Sequence, residues 1–343
     1  MNVCLVLAGN EEGGLETHVV DLANGLARLG DDVTVVAHAR YGPRFASTVT
    51  FSPLDLARSR RNPSLRRGLQ QRIRDAAAEV VHAHAGKAAA LVAAADVAAP
   101  TVGTIHGMKK DLSAYRRFDA VIGVSPRVLT SLVHPNKTVI YNGVPGAPPA
   151  MTGAQLRGRF GIAPGQPVVV AVGRLVPVKG YDRLIELWDG SLGHLLLVGE
   201  GPERSRLAAL AEGKPVTLAG FRSDARAIMG GADLMVFASE REGFPYALAE
   251  ALVAQLPVVS TPVPGAVDLL PTEHLAPIPH LKSVIARCVA DLAATRDRMQ
   301  AAFEHAARAL NVEHMVLATR AVYATLVRSP QPGRARGVPL ARR

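Results

Sequence analysis

Short apolar runs recur along this chain, each followed by an amphipathic stretch, and the alternation stops once and then restarts. The stop is Asn142–Met151, NGVPGAPPAM, dense in residues that break regular structure. That rhythm constrains the fold more than any other feature. Strands that are apolar at nearly every position must be buried on both faces, and the helices between them supply the cover. The pattern therefore predicts parallel sheets in an α/β protein. A chain of 343 residues is too long for one ordinary core and suits two domains of roughly 150 residues each. Two doubly wound, Rossmann-like domains are expected, residues 1–145 and 152–310.

In the first, strands are expected at Val3–Ala8, Val33–Ala37, Val80–His84, Thr101–His106, Ala120–Val124 and Thr138–Tyr141, with helices at Glu16–Leu29, Pro63–Glu79, Ala88–Ala95 and Arg127–Val133. In the second, strands fall at Val168–Gly173, His194–Val198, Val216–Gly220, Leu234–Ala238 and Val258–Ser260. Their helices fall at Tyr181–Trp188, Glu203–Glu212, Asp224–Met229 and Tyr246–Leu256. Leu281–Arg328 is helical in pattern throughout, and residues 329–343 read as a disordered basic tail.

Composition narrows the class. Hydrophobic residues reach 48% while aromatics are only 4%, so Val, Leu and Ala must fill the cores. No run approaches a membrane span, and the opening MNVCLVLAGN reads as a strand and not as a secretion signal. Cys4 and Cys288 lie in apolar runs, as buried thiols of a cytoplasmic protein do. The net charge of +10 is concentrated. Arg58, Arg60, Arg61, Arg66, Arg67, Arg72 and Arg74 fill one stretch without an acid, and five more arginines fill Arg328–Arg343, leaving 27 basic against 29 acidic residues elsewhere. Either these are solvated appendages, or they attract an anionic membrane surface. No aromatic residues interleave with the arginines, so no nucleic acid partner is expected.

Doubly wound domains bind ligands outside the carboxyl ends of their strands, and two facing domains put that place in the cleft between them. Polar residues directly after strands are the candidates. Arg174 follows Val168–Gly173, and Lys179 precedes the next helix, in GRLVPVKGYDRL. A rigid guanidinium fork and a mobile ammonium suit a diphosphate. In EREGFPYALAE, Gly243 permits a tight turn and Pro245 suits a first helical turn. The amides of Tyr246 to Ala249 are then expected to lack intrahelical partners and to form an anion site. Glu242 and Glu250 flank this turn in otherwise apolar surroundings, where a carboxylate facing a cleft would accept hydrogen bonds from sugar or ribose hydroxyls. His82 and His84 share one strand face, with His106 expected near. Three histidines can hold zinc, but nothing completes the set by spacing, so no metal is expected. These histidines are read instead as the acceptor side of the cleft, with Lys87 available to an acceptor phosphate.

GRLVPVKG, LLLVGEGPERSRL, VTLAGFRSD and EGFPYALAEALVAQLPVV, in this order and spacing, resemble the retaining family 4 of GT-B glycosyltransferases. GGLETHVVDLANGLARLG, VVHAH, GTIHG and VIYNGV resemble the front half of the same family, and GNEEGGLETH its lipopolysaccharide-core-type members. The resemblance implies a nucleotide-sugar donor in the second half of the cleft. Arg174 and Lys179 would hold the diphosphate, helped by the amides near Leu248 and Ala249. Glu250 would hold the ribose, and Glu242 a hydroxyl of the transferred sugar beside the backbone of Gly243, Phe244, Pro245 and Tyr246. The base would rest near Gly220, Phe221 and Arg222. Gly13 and Gly14 would close on the donor from the other domain, and His106 would lie beside the reacting sugar. The implied reaction is retaining and independent of metal, with a UDP-sugar as donor and a glycolipid or polysaccharide of the cell envelope as acceptor. The fold it implies crosses back at residues 311–328. The family usually has paired glycines and a glutamate where this chain has Gly265, Ala266 and Asp268. Two alternatives stand beside this reading: a nucleotide-sugar 2-epimerase of the same architecture, and a non-catalytic nucleotide-sugar-binding subunit.

Overall fold

The computed structural model of the protein describes residues 1–10, 13–57, 62–95, 97–146 and 151–328. Two all-parallel sheets organise it. The first contains β1 (Asn2–Leu7), β2 (Asp32–Ala37), β3 (Thr50–Pro53), β4 (Val80–His84), β5 (Thr101–Ile105), β6 (Ala120–Gly123) and β7 (Lys137–Val139), in the order β3-β2-β1-β4-β5-β6-β7. The second contains β8 (Val168–Val172), β9 (His194–Val198), β10 (Val216–Gly220), β11 (Leu234–Phe237) and β12 (Val258–Ser260), in the order β10-β9-β8-β11-β12.

Helices cover both faces of each sheet, which is why the strands are apolar on both sides. Along β1, Val3, Leu5 and Leu7 pack with one layer, while Cys4 and Val6 pack with the other. The helices of the first half are α1 (Gly14–Arg28), α2 (Pro63–Asp75) and α3 (Ala85–Ala94). Those of the second half are α4 (Gly153–Phe160), α5 (Tyr181–Glu186), α6 (Arg204–Ala211), α7 (Ala225–Gly231), α8 (Tyr246–Val253), α9 (Ala266–Leu269), α10 (Ile278–Ala290), α11 (Leu292–Arg298) and α12 (Gln300–Ala309). The last helix, α13 (Val312–Arg328), returns to the first sheet and packs on α1. Gly25 of α1 leaves room there for the Val316 side chain, and Arg320 forks onto the Asp31 carboxylate at 2.7 and 3.1 Å.

The chain passes between the halves twice, and the two passages lie side by side. Val144 N–H donates to the Leu310 carbonyl at 2.9 Å, and Val312 N–H donates to the Val144 carbonyl at 3.2 Å. Four elements differ from expectation. The helix expected at Arg127–Val133 is a single 3₁₀ turn, Pro126–Leu129. The helix starting at Pro63 ends at Asp75, because Ala77 takes a left-handed φ of 44°. The edge strand β3 and helix α4 were not expected.

Candidate active site

Strand order reverses direction of winding between β1 and β4 in one sheet and between β8 and β11 in the other. Ligands bind in the crevice at such switch points. Gly14 after β1, His84 at the end of β4, Gly173–Lys179 after β8 and Ser239–Tyr246 after β11 lie at these switch points, and Gly14 meets Tyr246 across the interdomain cleft.

On the second-domain side, Arg174 is exposed at the end of β8. Lys179 Nζ donates to Glu242 Oε1 at 2.6 Å, with both side chains mostly buried. An ammonium has three N–H donors, so this pairing leaves two for a phosphate oxygen. Glu250, one helical turn into α8, faces Arg226 of α7, whose Nε lies 3.7 Å from Glu250 Oε1. That distance is too long for a hydrogen bond, and Arg226 Nε is buried without a partner among the described residues. Burial raises the Glu250 carboxyl above its usual range, Arg226 opposes that shift, and Asp21 of α1 adds to it. Asp21 Oδ2 and the Tyr246 hydroxyl are also buried without partners among the described residues. Three polar groups at this end of the cleft thus have hydrogen-bonding capacity left over.

The start of α8 differs from expectation. Leu248 and Ala249 N–H both turn back to the Pro245 carbonyl, at 3.1 and 3.4 Å. The intrahelical ladder begins at the capping residue, so the amides left open are those of Tyr246 and Ala247. Phe221 is 75% exposed, beside Gly220 and its left-handed φ of 72°, and Arg222 donates to Asp224 at 3.2 Å. At the departure from the family pattern, Asp268 accepts the Gly265 N–H at 3.0 Å. The shorter acid serves as a cap for α9.

On the first-domain side, imidazoles gather from three elements. His84 ends β4 and is buried, with Nδ1 at 3.3 Å from His106 Nε2 and with no partner for Nε2 among the described residues. His18 of α1 meets the His106 ring edge-on at 4.7 Å. His106 alone of the three is partly exposed. Burial drives all of them toward the neutral form: His18 falls to about 4, and His84 and His106 fall well below the usual range. His82 is a correction. It is fully buried one step deeper in β4, held by the Tyr323 hydroxyl at 2.5 Å and Thr104 Oγ1 at 2.6 Å. The strand period was right, but the second position inward lies under α13, away from the cleft. The three-histidine set is accordingly His18, His84 and His106, with one ring nitrogen from each within 4.8 Å of the others. These neutral imidazoles are of the type that zinc accepts. Lys87 Nζ donates to the Ala57 carbonyl. The arginines at 58, 60 and 61 lie outside the described residues.

The two sides touch. A Cβ on Gly243 would lie 2.1 Å from the His106 carbonyl oxygen, so only glycine allows that approach. A Cβ on Gly14 would lie 2.7 Å from the Tyr246 ring, which puts the glycine loop of Gly13 and Gly14 against the start of α8. His18, Asp21, Ser125, Asn142 and Arg226 belong to this junction and were not singled out from the sequence. Asn142 stands in VIYNGV, and Arg226 is the second residue of α7, two residues after the end of VTLAGFRSD.

Comparison with known proteins agrees with this geometry. Residues 12–145 match the family described as Glycosyltransferase Family 4, and residues 166–294 match the family described as Glycosyl transferases group 1. The chain belongs to the GT-B glycosyltransferases. Among curated relatives of this GT-B chain, a GDP-mannose-dependent alpha-mannosyltransferase of Mycobacterium tuberculosis is 33% identical over 138 residues, 39% of this chain and 36% of that protein. The lipopolysaccharide core biosynthesis glycosyltransferase LpsE of Rhizobium meliloti is 36% identical over 100 residues, 28% of this chain and 29% of that protein. The chain thus spans about a third of the length of these relatives. Among solved structures, Anabaena Alr3699/HepE in complex with UDP and glucose superposes with a TM-score of 0.80 at 21% identity, over 95% of this chain and 100% of that one. That likeness establishes the shared GT-B fold.

Proposed function

We propose that this GT-B protein transfers a sugar, with retention of configuration and without a metal ion, from a nucleoside-diphosphate sugar to a glycolipid or polysaccharide of the cell envelope. The observation that carries the reading is the Lys179–Glu242 pair at 2.6 Å, set after the strand ends of one domain and next to Gly243, whose backbone meets the His106 carbonyl of the other. Sugar transfer breaks a bond between the anomeric carbon and a phosphate oxygen, and charge builds on the leaving diphosphate. Arg174 and Lys179 are placed to neutralise it, which is work a divalent cation does elsewhere. Glu242 then receives a hydroxyl of the sugar, and Lys179 bridges the carboxylate and the phosphate. Glu250 and the unsatisfied Arg226 Nε receive the ribose hydroxyls, and exposed Phe221 receives the base. The transition state is oxocarbenium-like. In a retaining path the leaving phosphate takes the acceptor's proton on the same face, and neutral His106 orients the acceptor hydroxyl.

The names of relatives support the substrate class: one uses GDP-mannose, one belongs to lipopolysaccharide core synthesis, and a structural neighbour was solved with UDP and glucose. The test is nucleotide release from a panel of UDP-, GDP- and ADP-sugars, with and without EDTA, with Glu242→Ala as control. Release from one donor is expected, unchanged by EDTA and reduced at least 100-fold in the variant. EDTA-sensitive release would sink the metal-free mechanism and turn attention to His18, His84 and His106. If no donor is turned over and none raises the melting temperature, the nucleotide-sugar reading fails.

A further inference from the structure

The first domain holds the donor loop by two consecutive carbonyls. Ser125 Oγ, just after β6, donates to the Gly243 carbonyl at 2.9 Å. Asn142 Nδ2, just after β7, donates to the Phe244 carbonyl at 3.1 Å. Both side chains are buried, Ser125 at 0% and Asn142 at 4% exposure. These carbonyls belong to the loop that carries Glu242.

The bonds fix more than a position. A trans peptide is planar, so its carbonyl and N–H point opposite ways. Tying the Gly243 carbonyl to Ser125 turns the Phe244 N–H away from the first domain, and that N–H has no partner among the described residues. The next peptide has no N–H, because residue 245 is proline. The Phe244 carbonyl can only accept, so the Asn142 carboxamide must turn its nitrogen to it and its oxygen to His18 Nδ1, at 3.0 Å. The His18 proton is thereby placed on Nδ1. Two residues further on, Val144 is bonded to the return passage at Leu310 and Val312. Asn142 therefore joins the crossing point, the histidine cluster and the donor loop.

We propose that Ser125 and Asn142 are positioning residues that latch the 242–246 loop onto the first domain, so that Glu242 and the Phe244 amide take their working orientation only when the cleft is shut. The inference rests on the transfer reading for its catalytic consequence, but its geometric consequence is independent of any donor. Opening the cleft must break both bonds together, because both acceptors move with the second domain.

The test uses the full chain as wild type, Ser125→Ala, Asn142→Asp and the double variant. Asn142→Asp keeps an oxygen for His18 but sets an acceptor against the Phe244 carbonyl. Small-angle scattering of the nucleotide-free proteins is expected to fit this closed structure for the wild type. The variants should show a radius of gyration larger by about 1 Å or more, on a value of about 20 Å. With UDP-glucose or GDP-mannose as donor, kcat should fall about tenfold in Ser125→Ala and further in Asn142→Asp, while KM for the donor changes less than threefold. The melting temperature of Ser125→Ala should stay close to wild type, while Asn142→Asp, which buries a carboxylate against a carbonyl, is expected to melt lower and is compared as the fraction still folded at the assay temperature. Variants as closed and as fast as wild type, or a wild type that is open in solution, would overturn the latch. So would a kcat loss matched by a proportional loss of folded protein. Variants that open although neither donor is turned over by any form would support the latch and count against the transfer reading.

Discussion

Asp21 shows at the scale of one residue how this cleft is kept ready for something absent from the chain itself. Its carboxyl is raised from 3.8 to about 6, chiefly by burial, although Arg44, Arg28 and Arg226 pull the other way. One of its oxygens is buried with no partner among the described residues. A carboxyl whose folded pKa lies above its unfolded value contributes stability that is whole below about pH 4 and is lost as pH rises through about 6. Near neutral pH the protein therefore bears the full cost of the buried charge. Asp21→Asn should raise the melting temperature at pH 8 by about 2–4 °C for each kcal/mol recovered, and leave it nearly unchanged at pH 4. Differential scanning calorimetry at the two pH values checks this. A lower melting temperature at pH 8 would mean that the three arginines hold the carboxylate more strongly than burial penalises it. The same residue adds to the raised pKa of Glu250 and of Tyr246, so it acts on the second domain from the first.

At the scale of elements, α2 is the part of the basic stretch with a structural account. Asn62 caps it by accepting the Ser64 N–H at 3.0 Å, and Pro63 occupies the first turn. Leu65, Leu69 and Ile73 form its buried stripe, while Arg66, Arg67 and Arg74 are exposed and Arg72 is tied to the Pro53 and Gly68 carbonyls. An exposed arginine row over an apolar underside suits a surface of anionic lipid, and each arginine is worth about 1 kcal/mol there. Replacing Arg66, Arg67 and Arg74 together by Gln should weaken sedimentation with phosphatidylglycerol vesicles roughly a hundredfold at low salt. Binding that ignores both the substitutions and added salt would remove the membrane from the proposal. Among the described residues no helix is long and apolar enough to cross a bilayer. Elements of this kind were legible in the sequence for a physical reason. Strands β8, β9, β11 and β12 could be read off because burial makes them continuous apolar runs. Strand β3, TFSP, could not, because an edge strand half in solvent needs no such run. Helix α4 hid behind the linker, although Thr152 and Gln155 form a capping box that marks its start. Arg174, Lys179 and Glu242 were readable as candidates because each follows a strand in a compact motif, and Glu250 because it is a carboxylate inside an apolar helix. His18, Ser125 and Asn142 were not, because what makes them matter is contact across 102 to 124 residues of chain.

At the scale of the whole molecule, the histidines tie the first sheet, the crossing point and the returning helix into one acid-sensitive centre. His82 joins β4 to Tyr323 of α13, His18 joins α1 to Asn142, and His84 and His106 complete the group. Each is pushed toward the neutral form by burial, and each is disfavoured further when a neighbour gains charge, apart from His18, whose second influence is the raising bond to Asn142. For a histidine lowered on folding, the unfolded chain binds the proton first, so stability is whole above 6.5 and is lost as pH falls toward the folded value, about 4 for His18. At pH 5, His18 alone lowers stability by about 2 kcal/mol, and the other three act in the same direction. Asp21 and Glu250, both raised by burial, oppose this, but as two groups against the four of the cluster. Urea unfolding should therefore show stability dropping steeply from pH 7 to pH 5, with more than one proton taken up on unfolding near pH 5.5. His82→Gln, which keeps polar atoms for Tyr323 and Thr104 but cannot be protonated, should flatten that slope by close to one proton. A slope that does not change in His82→Gln would mean that the buried imidazoles titrate as freely in the folded protein as in the unfolded chain. That result would contradict the full burial of His82 beneath α13.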